Sequence, residues 1–359
     1  MTTLDDVWAL VAIDSVSGNE DALASYIHQK LLTNEALVVE RIGDNVVARS
    51  AGHHATRVVV AGHLDTVPGD VSGAHIDGDI VRGLGACDMK GSLAGMLDLA
   101  LSATALPVEV TWVFYAREEV ARSQSGLLEI AELRPDLLDA DVAVLAEPTG
   151  GRVEAGCQGT LRMKVVLQGV RAHTARPFTG RNAIHRLGDL LAFVALYEPR
   201  EVELDGVTYV EQLQAVSVEG GVAANVVPDS AACVLNHRVA PDRTREQAVD
   251  WLRDFLGELL EEGDVLEVAD WAPSAKPELG NSHLARLVEF SKTPPRAKVG
   301  WTDVATFQAL GIPATNYGAG DPLLAHRSDE FVTAYEVNEF VTVLGRWLRS
   351  SPHEAGVAR

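Results

Sequence analysis

The spacing of apolar residues changes its period several times along the chain. Residues 4–32 repeat at helical spacing but break at Ser15-Val16-Ser17-Gly18-Asn19-Glu20. That predicts two helices, with Ser17 or Asn19 capping the second and Ala22, Leu23, Tyr26 and Ile27 on one face. Short runs at 37–39, 45–48 and 58–61 predict strands. The last is an unbroken Val-Val-Val-Ala, as expected of a strand buried on both faces. A glycine-punctuated loop, residues 80–91, leads into an apolar helix carrying Leu93, Met96, Leu97, Leu99, Ala100 and Leu101. A strand at 108–115, a helix at 126–133 and a strand at 142–145 follow. Strands alternating with helices imply a layered α/β domain with a largely parallel sheet.

After Glu147-Pro148-Thr149-Gly150-Gly151 the pattern changes. Residues 161–167 alternate like a half-buried strand, and 182–197 form a strongly amphipathic helix. Strands at 213–218 and 231–238 precede a second amphipathic helix at 245–260. This is a compact antiparallel α+β unit. After Trp271-Ala272-Pro273 come helices at 282–290 and 304–310, a strand at 314–317 and a helix at 334–348. The expected organisation is one α/β domain, residues 1–152 and 271–359, interrupted by an inserted α+β domain, residues 153–270. The tail after Ser350 is expected to fray.

Composition narrows the partners. The 359 residues are 47% hydrophobic and 23% charged, as in ordinary globular proteins, with a net charge of −21. Without a basic tract, nucleic acid and anionic membrane surfaces are excluded as expected partners. An anionic small substrate would need local arginines or metal ions. No apolar run reaches transmembrane length, and the acidic start Met1-Thr2-Thr3-Leu4-Asp5-Asp6 does not resemble a secretory signal. Cys87, Cys157 and Cys233 are odd in number and far apart, which suits a reducing cytoplasm and a filler role.

The candidate chemistry lies where strands end. His63 and Asp65 follow the 58–61 strand. His63 could bind a metal through one ring nitrogen while Asp65 accepts the proton of the other. Asp88 lies in the glycine-rich loop, Glu118-Glu119 follow one strand, Glu147 follows another, and His326 lies in the late loop Asp321–Glu330. Each has an ordinary role available: a helix N-cap for Asp88, a solvated first helical turn for the Glu118-Glu119 pair, an exposed loop residue for His326. Together they all come after strands of one presumed sheet. His63, Asp88, Glu119, Glu147 and His326 supply two imidazoles and three carboxylates, a set suited to Zn2+ or a similar ion, with one carboxylate free to bridge two ions. Co2+ and Mn2+ suit the same ligands. Adjacent carboxylates after a buried strand also call for a nearby cation. Glu118 is left over as general base for a water, so the chemistry indicated is metal-assisted hydrolysis.

The motifs Gly62-His63-Leu64-Asp65-Thr66-Val67-Pro68, Gly85-Ala86-Cys87-Asp88-Met89-Lys90-Gly91, Glu118-Glu119, Glu147-Pro148-Thr149 and the late His326 resemble those of the M20 family of dinuclear zinc amidohydrolases and peptidases. The resemblance spans essentially the whole chain. It implies a zinc-peptidase-like three-layer α/β catalytic domain with an inserted ferredoxin-like lid and dimerisation domain. It implies two Zn2+ per chain: His63 and Glu147 on one, Glu119 and His326 on the other, Asp88 bridging, Asp65 orienting His63, and Glu118 as base.

Within the family, stretches 154–162, 169–176, 220–228, 300–303, 182–185 and 316–322 are most similar to the enzymes that hydrolyse N-succinyl-LL-2,6-diaminopimelate. That likeness implies a homodimer in which His173 reaches a partner's oxyanion, and substrate contacts from Thr160, Asn225, Arg238 and Thr302. Better-known members carry arginines where this chain has Cys157-Gln158, so Arg162, Arg176 or Arg181 is expected to supply that charge. Other amidohydrolases of the family, such as N-acetylornithine deacetylase or a carboxypeptidase-like enzyme, share the metal motifs. A non-catalytic metal-binding protein on the same fold would not need Glu118. His185 and His237 are taken as structural.

Overall fold

A computed structural model describes residues 2–50, 52, 54–102 and 106–350; the tail expected to fray lies outside the described residues. The chain forms two compact units. The first comprises Met1–Gly156, Pro277–Ala297 and Thr302–Arg359. The second comprises Cys157–Lys276 and the short stretch Lys298–Trp301.

The first unit is built on an eight-stranded sheet. Its order is Leu37–Ile42, Asn45–Ser50, Glu109–Tyr115, Arg57–His63, Val142–Leu145, Ala314–Asn316, Glu154–Ala155 and Arg296–Ala297. The four strands from Glu109–Tyr115 to Ala314–Asn316 run parallel. The sheet as a whole is mixed rather than largely parallel. The first two strands are joined by the two-residue turn at Gly43 and Asp44, with Gly43 at φ 58°, and such a turn makes an antiparallel hairpin.

Arg57–His63 is hydrogen-bonded on both sides. Val58 and Val60 face a core shared with Leu93, Met96 and Phe340. Val59 and Ala61 point to the opposite face and are equally buried. Helices Leu4–Val11, Asp21–Leu31, Gly91–Ser102 and Ala334–Arg349 contribute to the first core, while Gly126–Leu133 and Val304–Ala309 pack elsewhere on the sheet. Cover on both faces explains the unbroken apolar run and gives the three-layer architecture.

Two local findings differ from expectation. The helix Asp21–Leu31 has Glu20 at its N-cap, with no side-chain cap. Ser17 donates to Asp65 instead, and Glu20 accepts from Gly18 N. A small antiparallel sheet of His75–Asp77, Ile80–Arg82 and Phe331–Thr333 stands where the sequence pattern predicts only loop.

In the second unit the order is strand Gly159–Gln168, helix Ala183–Val194, strands Gln212–Gly220 and Ser230–Val239, helix Arg245–Leu256 and strand Val265–Ala272. The sheet order is Gln212–Gly220, Ser230–Val239, Gly159–Gln168, Val265–Ala272, antiparallel throughout, which is the ferredoxin-like arrangement. The last strand escapes sequence patterning because it is an edge strand with no well-buried face. Leu161, Met163, Val165 and Leu167 pack under the two helices with Leu187, Leu190, Leu252 and Leu256. Thr160, Asn236 and Arg238 therefore belong to the opposite face of the sheet.

Candidate metal centre

His63 is the last residue of the central strand and is fully buried. Gly62 before it packs closely on the helix side, since a Cβ there would lie 2.6 Å from Met89 Cε and 2.8 Å from Leu93 Cδ2 and make them shift. His63 Nδ1 lies 2.9 Å from the main-chain oxygen of Asp65 and 3.6 Å from its carboxylate. The expected side-chain acceptor is thus replaced by the carbonyl of the same residue. The Asp65 carboxylate is committed elsewhere: it accepts from Glu118 N and Glu119 N, both at 2.9 Å, and from Ser17 Oγ at 2.7 Å.

Asp88 lies on the tight turn Ala86–Lys90, and the Asp88–Met89 peptide is cis. It does not cap the helix that begins at Gly91. Its Oδ1 is 3.1 Å from His63 Nε2 and its Oδ2 is 3.5 Å from His326 Nε2. Glu118 and Glu119 do not form a first helical turn; they follow Arg117, whose φ is 62°. Glu119 Oε1 is 2.8 Å from His326 Nε2. Donor atoms of His63, Asp88 and Glu119 all lie within 4.8 Å of one another. Glu147 is buried just past Val142–Leu145. The nearby Gly318 admits no side chain, because a Cβ would lie 2.2 Å from Ala146 O.

The charges of these groups act strongly on one another. Burial opposes ionisation of His63, but Asp88, Glu147 and Asp65 outweigh it and raise its pKa well above the imidazole range. Burial likewise opposes the Asp88 carboxylate, yet His326 and His63 hold its pKa below the usual range. His326 is pushed up to about 10 by Asp88 and Glu119. Glu118 is raised well above the carboxylate range by burial and then by the charge of Glu147. Asp303, also fully buried, is raised by burial. Carboxylates thus crowd around two imidazoles, whose protons bridge ring nitrogens to oxygens. A set of nitrogen and oxygen donors with excess negative charge, buried apart from His326, whose side chain is 51% exposed, fits divalent cations of the zinc kind.

Sequence reasoning missed two supporting residues, Glu20 and Glu330. Glu20 is fully buried and accepts from Arg117 N at 3.1 Å. Glu330 is buried and accepts three main-chain N–H bonds from the Gly85–Asp88 turn. Burial lifts its pKa to about 7, with Asp88 adding to the rise and the N–H groups opposing it. The signal available for Glu330 was only its spacing, four residues after His326.

The expected substrate contacts fall in separate places. Thr302 is buried in the first unit and donates to Asn316 Oδ1 at 2.9 Å. In the second unit, Thr160 and Arg238 are cross-strand partners, and Arg238 Nη1 donates to Thr160 Oγ1 at 2.8 Å. Arg238 has no carboxylate partner among the described residues. Burial and then the charge of Arg162 lower its pKa. It lines a pocket of about 520 Å³ with Gln158, Gln212, Gln214 and Asn236. His173 is exposed and pairs with Val226 on a two-residue ladder, and Thr174 N donates to Asn225 O beside it. Of the arginines considered as substitutes, Arg162 pairs with Asp270 and Arg181 with Glu261. Gln158 is buried and donates to Val210 O at 2.9 Å.

The DapE protein of Mycobacterium tuberculosis is 44% identical over 345 residues, covering 95% of this chain and 96% of that one. The succinyl-diaminopimelate desuccinylase of Corynebacterium glutamicum is 43% identical over 347 residues, covering 94% of each. The fold matches a tripeptidase from Staphylococcus aureus with a TM-score of 0.77 at 21% identity, over 96% of both chains. The profile of peptidase family M20/M25/M40 matches residues 59–350. A match over most of the length, with His63, Asp88, Glu119 and His326 gathered at one strand end, makes this chain a member of that family.

Proposed function

We propose that this chain hydrolyses the amide of N-succinyl-LL-2,6-diaminopimelate to succinate and LL-2,6-diaminopimelate, in the synthesis of diaminopimelate and lysine. The observation that carries this reading is the 43% identity to the Corynebacterium glutamicum desuccinylase over 94% of both chains. His63, Asp88, Glu119, Glu147 and His326 would hold two divalent ions, Zn2+ foremost, with Co2+ and Mn2+ as substitutes. When bound, such ions polarise a carbonyl and acidify water. Glu118 takes the proton of the attacking water and delivers it to the leaving amine. Its main chain is held for that task by Asp65 and, through Arg117, by Glu20.

The substrate is a small anion, and Arg238 offers it a guanidinium that no carboxylate already neutralises. Thr160, Asn225 and Thr302 are its further contacts in this reading. His173 donates to the oxyanion of a second copy. The inserted unit serves as lid and dimer contact, which its exposed edge strand Gln212–Gly220 supports. None of the three cysteines is in a disulfide and all are buried, in keeping with the cytoplasm. No helix among the described residues is long and apolar enough to cross a membrane.

A substrate panel at one fixed zinc loading tests the assignment. The succinyl-diaminopimelate amide is expected to exceed N-acetylornithine and simple dipeptides in kcat/KM by at least about a hundredfold. Faster turnover of acetylornithine or of a dipeptide overturns it.

A further inference from the structure

One buried carboxylate ties together the two loops that carry Asp88 and His326. The antiparallel register Phe331↔Arg82, Val332↔Val81, Thr333↔Ile80 sets Glu330 beside Gly83, and Gly83 N donates to Glu330 O at 3.0 Å. The side chain then turns into the adjoining loop. Oε2 accepts from Gly85 N at 3.0 Å, and Oε1 accepts from Cys87 N at 2.7 Å and Asp88 N at 2.8 Å. Main-chain N–H groups converging in this way form a nest for an anion. Gly85 makes the nest possible: its φ is 78°, and a Cβ would lie 2.6 Å from Thr66 Cγ2. Glu330 is only 2% exposed, so water does not compete for these bonds. Glu330 N donates in turn to Arg327 O at 3.3 Å, which closes the turn leading back to His326.

We propose that Glu330 is a positioning residue of the metal centre. Its carboxylate, gripped by three N–H groups, fixes where Asp88 presents its two oxygens between His63 and His326. The proposal rests on Asp88 and His326 being metal ligands. A carboxylate serves here where an amide would not: Gln has one acceptor oxygen and turns an NH2 group toward an N–H donor.

The test uses the full chain loaded with Co2+, whose visible spectrum reports ligand geometry. Glu330→Gln is expected to shift the cobalt bands and to weaken Co2+ binding by about 10- to 100-fold. Glu211→Gln removes a buried carboxylate of the second unit, paired with Arg200 and Arg243. It is expected to lower the melting temperature without moving the bands. If Glu330→Gln does not fold, Glu330→Asp, which keeps the charge but withdraws it, is measured in the same way with the same expectation. A folded variant with wild-type bands and affinity overturns the role of Glu330. A wild-type chain that fails to bind two Co2+ ions overturns the ligand assignment instead.

Discussion

Glu118 depends on the residues that hold the backbone beneath it. Arg117 takes a left-handed conformation, which is costly for a residue with a side chain. It is offset by three successive N–H bonds: Arg117 N to Glu20, Glu118 N and Glu119 N to Asp65. The Arg117 side chain adds an ion pair with Glu129 at 2.6 Å. These bonds hold the loop, and in the proposed mechanism Glu118 has no ligand duty. Glu118→Gln preserves shape and removes only the ability to carry a proton. Turnover is expected to fall by about 10²- to 10⁴-fold, with metal content and melting temperature unchanged. Activity within tenfold of wild type, measured with metal analysis on the same sample, would remove Glu118 from the mechanism.

Elements of the second unit are joined by a buried charge. Asp264 accepts from Gln168 N and Glu261 N and from two nitrogens of Arg186, with the Asp264 and Arg186 side chains only 1% and 9% exposed. Burial alone would raise the pKa of Asp264, but Arg186 and the N–H groups lower it. The folded value is thus below the unfolded one. Its stabilisation is complete above the unfolded aspartate pKa, about 3.9, and is lost as pH falls through the folded value. Asp264→Asn is expected to cost roughly 3 kcal/mol at pH 7, because Arg186 loses its buried partner. In denaturant unfolding the gap between variant and wild type narrows below pH 4; a gap that stays constant to pH 2 would contradict the linkage. At this scale the sequence was legible wherever an element was long or doubly covered, as in Arg57–His63 and the helix Ala183–Val194. It was illegible in the small sheet of His75–Asp77, Ile80–Arg82 and Phe331–Thr333 and in the edge strand Val265–Ala272. His63, Glu119 and Glu147 could be read because each follows an apolar run that forms a strand of the main sheet, whereas Asp88 and His326 lie in loops beyond Ile80–Arg82 and Ala314–Asn316. Glu20 and Glu330 could not, because their partners are main-chain N–H groups 97 and 242 positions away, which leave no side-chain pattern.

For the whole molecule, the net charge of −21 sets the terms of self-association. Two copies repel, so a dimer must be held by apolar contact and main-chain pairing rather than by opposite charge. The edge strand Gln212–Gly220 offers both. Among the described residues it pairs only on its Ser230–Val239 side, and Val216 and Val218 are 55% and 57% exposed. It has no Pro or Lys, the usual guards of an open edge, and Glu219 is its one charge. Screening by salt weakens the repulsion and leaves the apolar term, so raising ionic strength should tighten a dimer. Val218→Lys puts a charge on the middle of that edge. It is expected to shift the chain from dimer to monomer by at least tenfold in dissociation constant, read by sedimentation at several concentrations. The monomer should retain its metal and lose kcat, since His173 is assigned to the partner's reaction. Wild-type chain that sediments as a monomer at micromolar concentration would end the dimer proposal. A monomeric Val218→Lys with full kcat would spare the dimer and remove His173 from the oxyanion.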